Sequence, residues 1–368
     1  MILTGKILRN KQVHQLTWLV GVPVLLSTIL ILVSFKSFLL FHTLAELFAI
    51  VIALIMSVVA WQMYPYTRNN YLMFLGCGYF WIGILDLVHA LTYKGMTVFP
   101  GTHAGTSIDF WIATRFLEAS ILLLAPLFLN RNLMRNVASM LFAAISAVIF
   151  ALVMSGNFPE TYVDGKGLTA FKVNSEYIIN LVIAIAIFFL WKKRELLDER
   201  IYHLVIVSMV LTMVAELAFT YYVSVYGLSN LIGHIFKIFS FWLIYVAVVK
   251  TTLRDPFAAL SRSASTYDAI PEAVIAVDKD GFIYQVNNAA SQLAGLPTAV
   301  LLGQDSHRIF HPGDITKEDC RICNAIRQNI QQDNVQMFWP ERKSWLDFSV
   351  APLKTDVGVE TGMVQTIR

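Results

Sequence analysis

The sequence predicts an α-helical membrane bundle of about eight transmembrane helices, followed by a smaller α+β domain. Of the 368 residues, 57% are hydrophobic and only 14% are charged, whereas soluble domains contain roughly 45–50% apolar residues. The excess lies before about residue 250, in runs long enough to cross a bilayer. After about residue 251, short alternating segments separated by turn residues replace these runs. The chain therefore divides into a membrane part and a soluble part.

Eight segments of the membrane part are apolar over about the 20 residues that a bilayer-crossing helix needs. They cover residues 16–35, 42–62, 71–92, 107–128, 136–154, 175–191, 203–225 and 230–250. Lys6, Arg9 and Lys11 precede the first segment, but no small-residue cleavage site follows it. We therefore interpret the first segment as a span and not as a signal peptide.

Lysine and arginine residues predict the orientation of the spans. Connections on the side of the N-terminus hold Arg68, Arg131, Arg135, Lys192, Lys193, Arg194, Arg200, Lys250 and Arg254. Those on the opposite side hold Lys36, Lys94, Lys166 and Lys172. Because short cytoplasmic loops carry an excess of lysine and arginine, the N-terminus is predicted to be cytoplasmic. An even number of spans brings the chain back to that side, so the soluble part and both termini are expected in the cytoplasm.

Ionisable side chains within the spans lie mostly toward the predicted outer surface. Asp86 and His89 share one helical face, as do Asn230, His234 and Lys237. A charge at mid-bilayer costs about 2.5–3.5 kcal/mol even on lenient scales, so these groups should face the bundle interior. We predict a ligand-binding pocket in the outer half of the bundle. Its candidate residues are Asp86, His89, Lys94, Trp111, Arg115, Glu118, Glu216, Asn230, His234 and Lys237.

Lys237 lies about seven residues into the last span, roughly 10 Å from its outer end. That depth requires a carboxylate partner, and we expect Glu118 or Glu216, with Asp86 behind them. Glu46 is also placed near the outer surface, at the outer end of the second span.

Other interpretations of this polar layer remain open. The buried pairs could serve only to hold the helices together. His89 and His234 could instead bind haem or a metal ion, which would make the chain a redox or metal-binding membrane protein. A transporter is disfavoured, because neither an inverted repeat nor a matched pair of glycine- or proline-broken helices is present.

The segment after the last span predicts a helical connector over residues 256–268. Asp255 followed by Pro256 is typical of a helix start. An apolar stripe then recurs at helical spacing, formed by Phe257, Leu260, Ala264 and Tyr267. Such a stripe suits pairing with a second copy, which predicts a homodimer. The alternative is that the helix packs on its own domain.

Strands follow the connector. AVIAVD and FIYQVN flank the turn KDG, which is a hairpin pattern. The run NAASQLAG predicts a short helix that ends at Gly295, and VQMFWP, SWLDFSVAPL and VETGMVQTIR predict three more strands. Two strands, short helices and three strands within about 100 residues suit a small α+β sensor fold.

A group of metal-ligating residue types lies between the predicted strands. His307 and His311 precede Cys320 and Cys323, which form a C-x-x-C pair. This combination suits zinc or iron, and a redox response is a second interpretation. The predicted cytosolic location argues against a structural disulfide.

Several segments resemble known families. The C-terminal part is similar to a PAS domain in AVIAVDKDGFIYQVNNAASQLAGL, and the membrane part resembles the membrane-associated sensor domain of the third MASE type. The second resemblance rests on DLVHALTYKGM, FWIATRFLEA, GHIFKIFSFWLIY and RDPFAAL. It implies a membrane-embedded sensor domain over 1–255, the connector over 256–268, and a PAS domain over 269–368 that is truncated at its C-terminal end.

The resemblance implies a sensory receptor of the bacterial inner membrane. In that family a diguanylate cyclase, a phosphodiesterase or a histidine kinase usually follows, which implies cyclic di-GMP signalling or a two-component system. We therefore expect a signal-input module that contacts the lipid bilayer, binds a small ligand or ion from outside, and relays the signal through its last span. Neither a nucleophile–base set nor a phosphate loop is present, so the chain as it stands is not expected to be an enzyme. Nucleic acid is not an expected partner, since basic patches with interleaved aromatic residues are lacking.

Overall fold

The structure is a computed structural model that describes residues 2–96, 98–100, 102–163, 167–220, 227–311, 315–339, 343–354 and 360–368. The chain divides into two compact units, Met1–Pro256 and Phe257–Arg368. Each unit is built around its own hydrophobic core.

The first unit is helical. Its long helices are α1 (Ile2–Ser34), α2 (Phe38–Thr67), α3 (Asn70–Leu91), α4 (Ala104–Leu124), α5 (Arg135–Met154), α6 (Ala170–Lys192), α7 (Glu199–Thr220) and α8 (Leu228–Tyr245). Within the described residues, eight helices are long and apolar enough to cross a membrane. The predicted membrane bundle is therefore confirmed. A short two-stranded sheet, β1 (Tyr162–Val163) and β2 (Gly167–Leu168), lies between α5 and α6.

Helix boundaries differ from the predicted spans at several ends. α6 begins five residues before the predicted start at 175, because the Thr169 hydroxyl caps it by accepting a hydrogen bond from the Lys172 backbone N–H. The assignment of Lys172 to an outer loop is therefore wrong, and its side chain is only 1% exposed. The predicted end of the seventh span at 225, and the outer-loop residue Lys166, lie outside the described residues.

α3 and α8 are the most enclosed of these helices. α2 packs closely along α3. Small residues permit that approach, as is usual between membrane helices. A Cβ atom on Gly76 of α3 would lie 2.6 Å from the Cβ of Ala60 on α2. α8 packs against both α2 and α7, so α2, α3 and α8 bring their side chains together in one interior.

The second unit is an α+β fold. A π-helical turn (Val246–Lys250) follows α8, and the elements after it are α9 (Thr251–Ala269), β3 (Ala273–Val277), β4 (Ile283–Val286), α10 (Asn288–Ala294), α11 (Thr298–Leu301), α12 (Ser306–Phe310), α13 (Arg321–Gln328), β5 (Gln332–Trp339), β6 (Ser344–Lys354) and β7 (Glu360–Ile367). The antiparallel sheet has the order β4-β3-β7-β6-β5. The predicted hairpin and the three later strands are confirmed, as is the α+β fold class.

Local signals explain the start of this unit. Asn287 caps α10 with its side-chain oxygen, which accepts from the Ala290 N–H at 2.9 Å, while its amide donates to backbone carbonyls before β3. Gly295 ends α10 with a φ of 67°, a left-handed conformation that favours glycine. The helix predicted to end at this glycine is confirmed.

α9 extends the predicted connector in both directions, from Thr251 to Ala269. Phe257 and Leu260 of the apolar stripe are 64% and 65% exposed. Tyr267 differs from them, because it is half-buried and its hydroxyl donates to the Val274 carbonyl at 3.0 Å. This end of the stripe packs on its own domain, and burial raises the pKa of Tyr267 to about 12. The exposed part of the stripe leaves the homodimer a prediction.

Candidate functional site

A network of buried ion pairs joins α2, α3, α4 and α8. The Nζ of Lys237 lies 2.7 Å from Oε2 of Glu46 and 3.1 Å from Oδ2 of Asp86. Nη2 of Arg115 lies 2.6 Å from Oδ1 of Asp86, and its other terminal nitrogen pairs with Glu118. None of these side chains is more than 4% exposed. Removing one member of such a network leaves a buried charge unpaired, which costs on the order of 3–5 kcal/mol.

Aromatic groups complete the surroundings of these charges. The Lys237 Nζ lies 4.5 Å from the centroid of the Trp111 ring, and the Arg115 guanidinium carbon lies 4.7 Å from the same centroid. Cations at this distance are attracted to the face of an indole ring. The Tyr79 hydroxyl donates to Oε1 of Glu118 at 2.9 Å. Trp111 therefore contacts both cations of the network.

The structure corrects the expected partners of Lys237. Glu118 and Glu216 were the expected carboxylates, but the contact is with Glu46, and Asp86 is the second partner. The sequence does not specify which helices are neighbours, and α8 packs on α2. Glu118 pairs instead with Arg115 of its own helix.

Glu216 belongs to a second group of buried charges, between α6 and α7. Its carboxyl lies close to that of Glu176 on α6. The Lys172 Nζ lies 2.8 Å from Oε1 of Glu176 and donates to the Phe219 carbonyl at 2.5 Å. This second group therefore contains one lysine and two carboxyls.

Three imidazoles lie next to the Lys237 network. The ring centroid of His42 is 5.3 Å from that of His89 and 4.8 Å from that of His234, and His42 stacks on Tyr93 at 3.5 Å. Sequence reasoning missed His42, although it precedes Glu46 by one helical turn on the same face of α2. It also missed Lys172 and Glu176, whose i, i+4 spacing at the start of α6 carries the same signal.

Hydrogen bonds determine which imidazole nitrogens remain open. Nδ1 of His89 lies 2.7 Å from the Ser107 carbonyl, and Nδ1 of His234 lies 2.8 Å from the Asn230 carbonyl. Carbonyls only accept, so each Nδ1 carries the proton and each Nε2 presents a lone pair when neutral. Among the described residues, Nε2 of His89 and both ring nitrogens of His42 lack a hydrogen-bond partner, although all three atoms are buried.

A small cavity lies against these rings. Its wall includes His42, His89, Tyr93, Lys94, Ser107, Ile108, Trp111, Lys172, Phe219, Asn230 and His234. Its volume is about 30 Å³, counted as the space open to the centre of a water molecule. One water needs about 10–15 Å³ when its space is counted in the same way. The cavity therefore has room for an ion or a few atoms. This size favours an ion over haem at His89 and His234.

The candidate residues occupy different positions relative to this cavity. His89, Lys94, Trp111, Asn230 and His234 line it. Asp86, Arg115, Glu118 and Lys237 form the adjoining network. Glu216 belongs to the group with Glu176, and it also interacts electrostatically with Arg115 and Glu118 of the network. His42, Glu46 and His234 each direct a donor atom to one place, with these atoms within 4.8 Å of one another.

The soluble unit contains a second set of converging donors. Sγ of Cys323 lies 3.3 Å from Nδ1 of His307 and 3.3 Å from Nδ1 of His311, and Sγ of Cys320 lies 3.4 Å from the latter atom. A hydrogen bond from the Cys323 thiol, helped by His311, lowers the pKa of Cys320 to about 3. The same hydrogen bond, with burial, raises the pKa of Cys323.

Known proteins match both units. Residues 33–256 match the membrane-associated sensor domain family MASE3, and residues 267–368 match a PAS fold. Both families are sensory and not catalytic. No curated protein is significantly similar to the chain.

Solved PAS domains are similar to the second unit. One, from Colwellia psychrerythraea, is 20% identical over 30% of this chain and 95% of its own, with a TM-score of 0.24. The PAS domain of nitrogen regulation protein NR(II) from Vibrio parahaemolyticus is 15% identical over 29% and 95%, with a TM-score of 0.23. That of an HTR-like protein from Haloarcula marismortui is 14% identical over 32% and 98%, with a TM-score of 0.26.

Proposed function

The chain belongs to the MASE3 family of membrane-associated sensor domains and carries a PAS fold after its membrane part, and from this premise we propose a signal-input module that binds a small ligand or ion inside the bundle. The ligand reaches the cavity from the outer side of a bacterial inner membrane, and both termini are cytoplasmic. The PAS domain passes the signal to an output such as a diguanylate cyclase, a phosphodiesterase or a histidine kinase.

The charge balance of the Lys237 network carries this proposal. Glu46, Asp86 and Glu118 supply three carboxylates, whereas Arg115 and Lys237 supply two cations. Within this network the carboxylates therefore outnumber the cations by one. Buried charges require a partner of opposite sign, so the network favours one more positive charge.

The geometry of His234 and Glu46 supports a position for that positive charge. Nε2 of His234 lies 3.1 Å from Oε1 of Glu46, and Nδ1 of His234 already carries its proton. In the neutral form a lone pair would face a carboxylate oxygen. A cation between the two atoms removes this repulsion, and His42 supplies a third donor. The donors therefore favour a small cation, either a proton or a metal ion.

α8 is the proposed route of the signal. His234 and Lys237 lie on it, and a π-helical turn and α9 follow it in the chain. A cation that binds Glu46 competes with Lys237 for the same carboxylate, so it stabilises an arrangement of α8 in which that pair is weakened. A ligand shifts a conformational equilibrium only through such a difference in affinity.

The test uses the full chain in lipid nanodiscs with Cys320→Ser and Cys323→Ser, so that the soluble unit offers no thiolate to the metal. We expect Zn²⁺, Co²⁺ or Ni²⁺ to raise the melting temperature to a plateau, or acidification from pH 8 to pH 5 to change it without metal. Glu46→Gln should abolish whichever response occurs. His203→Ala is the matched control, since this exposed histidine lies on α7. A parent that responds to neither metal nor pH would contradict cation binding.

Hydrogen exchange then tests the route. Adding the effective cation should change amide protection in α8 and α9 as well as in α2. A change confined to α2 would show binding without relay.

A further inference from the structure

Four donor atoms of the soluble unit are arranged as around one ion. Nδ1 of His307 and Nδ1 of His311 are 3.1 Å apart, and three of the four sulfur–nitrogen distances are 3.3–3.4 Å. A tetrahedral zinc with the usual bond lengths would place two nitrogens about 3.4 Å apart and a sulfur about 3.6 Å from a nitrogen. The donors thus lie within a few tenths of an ångström of a mononuclear site.

Outer hydrogen bonds orient both histidines toward the common centre. Nε2 of His307 lies 3.0 Å from the Ile315 carbonyl, so it donates there and leaves Nδ1 with a lone pair. Nε2 of His311 lies 3.2 Å from Oε1 of Gln365, whose amide donates to Ser306. Gln365 is fully buried on β7. Metal-binding histidines are held in this way, with the second ring nitrogen donating to a fixed oxygen.

The local fold presents the two cysteines at the start of a helix. Cys320 is the N-cap residue of α13 and Cys323 lies in the first turn of that helix. His307 lies on α12, and His311 follows the last residue of α12 as its C-cap. A helix N-terminus favours the thiolate form of cysteine. Cys320, Cys323 and His311 are each at most 5% exposed.

The donor types select the metal. Two thiolates and two imidazoles suit zinc, and the two thiolate charges neutralise a divalent ion in this buried position. In one type of two-iron cluster, two cysteines bind one iron and two histidines bind the other. Such a cluster needs the cysteine pair to lie apart from the histidine pair. Here all four donor atoms lie within 4.8 Å of one another, so one ion fits and two do not.

We propose that His307, His311, Cys320 and Cys323 bind one Zn²⁺ ion in a closed, four-coordinate structural site. Both cysteines bind the ion as thiolates, any remaining thiol proton is released to solvent, and no oxidant or reductant takes part. The ion would tie α12 to α13, and through His311 and Gln365 it would tie both to the central sheet. This site is independent of cation binding in the membrane bundle, because it lies in the other unit.

Metal content is the direct test. The full chain with Glu46→Gln, which removes the proposed cation site of the bundle, is purified in detergent without chelator and should contain about one zinc atom per chain that Cys320→Ser and Cys323→Ser remove. Cys77→Ser is the matched control, because Cys77 is also buried but lies in α3. It should retain the zinc. Zinc that survives both variants, or a parent without zinc after growth with added zinc, would overturn the proposal.

Cobalt gives a second readout on the unaltered chain, in case the cysteine variants fold poorly. After chelation and replacement by Co²⁺, we expect the intense visible bands of tetrahedral cobalt together with a thiolate-to-cobalt charge-transfer band. Zinc should displace both. Weak bands of octahedral cobalt, or the absence of the charge-transfer band, would exclude a site with two thiolates. Because the membrane donors contain no thiolate, a cation bound there cannot produce that band.

Discussion

Replacing Lys237 by methionine tests the ion-pair network most directly. Methionine keeps an unbranched side chain of similar length and removes the charge. Asp86 retains Arg115, whose Nη2 lies 2.6 Å away. Glu46 then faces Nε2 of His234 at 3.1 Å, which is a charged partner only when that ring is protonated. The variant therefore leaves essentially one buried carboxylate uncompensated.

The expected loss follows from that count. Breaking a buried pair by removing one partner costs about 3–5 kcal/mol of unfolding free energy. Glu46→Gln in the same chain removes the orphaned charge, so the double variant should recover at least about 1 kcal/mol relative to the sum of the single changes. Lys192→Met is the control and should have little effect, because this lysine is exposed at the end of α6.

The assay is reversible unfolding by sodium dodecyl sulfate in mixed micelles, followed by far-ultraviolet circular dichroism. A loss below about 1 kcal/mol for Lys237→Met would refute the claim that this charge is buried and paired. Two changes that add within about 0.5 kcal/mol would refute the direct pairing with Glu46.

Three further predictions concern topology, assembly and pH. A cysteine at Asn157, between α5 and α6, should react with an impermeant maleimide on intact cells, and one at Ser265 only after lysis; the reverse pattern would invert the bundle. Leu260→Glu should lower the dimer fraction measured by mass photometry in nanodiscs, and a monomeric parent would contradict pairing through α9. Asp305→Asn should destabilise the second unit by about 0.2–1 kcal/mol at pH 7. Burial tends to raise the pKa of Asp305, but the hydrogen bond from Lys317 lowers it overall. The stability difference should therefore persist above about pH 3.9 and vanish in stronger acid. A difference that grows on acidification would contradict the pairing.

Local patterns determined the elements of both units. A bilayer imposes a minimum length and an apolar composition on each helix, so the eight spans were readable from hydropathy. The Asp-Gly turn between the strand-like segments AVIAVD and FIYQVN predicted the β3–β4 hairpin for a similarly local reason. Spacing also placed His234 and Lys237 on one face of α8.

Contacts between distant segments were decided only by the tertiary structure. Glu46 and Lys237 are separated by 191 positions in the sequence. The hydropathy of the two segments does not predict that α2 packs on α8. The expected partners Glu118 and Glu216 were therefore wrong, and only the structure identified His42 as the neighbour of His89 and His234.

The donors of the soluble unit also combine local spacing with contacts between distant segments. The i, i+4 and C-x-x-C spacings paired the histidines and the cysteines within their own segments, whereas the packing of α12 against α13 brought the two pairs to one centre. A spacing along the chain constrains neighbours within about one helical turn, and the convergence of separate segments depends on how their buried surfaces fit together.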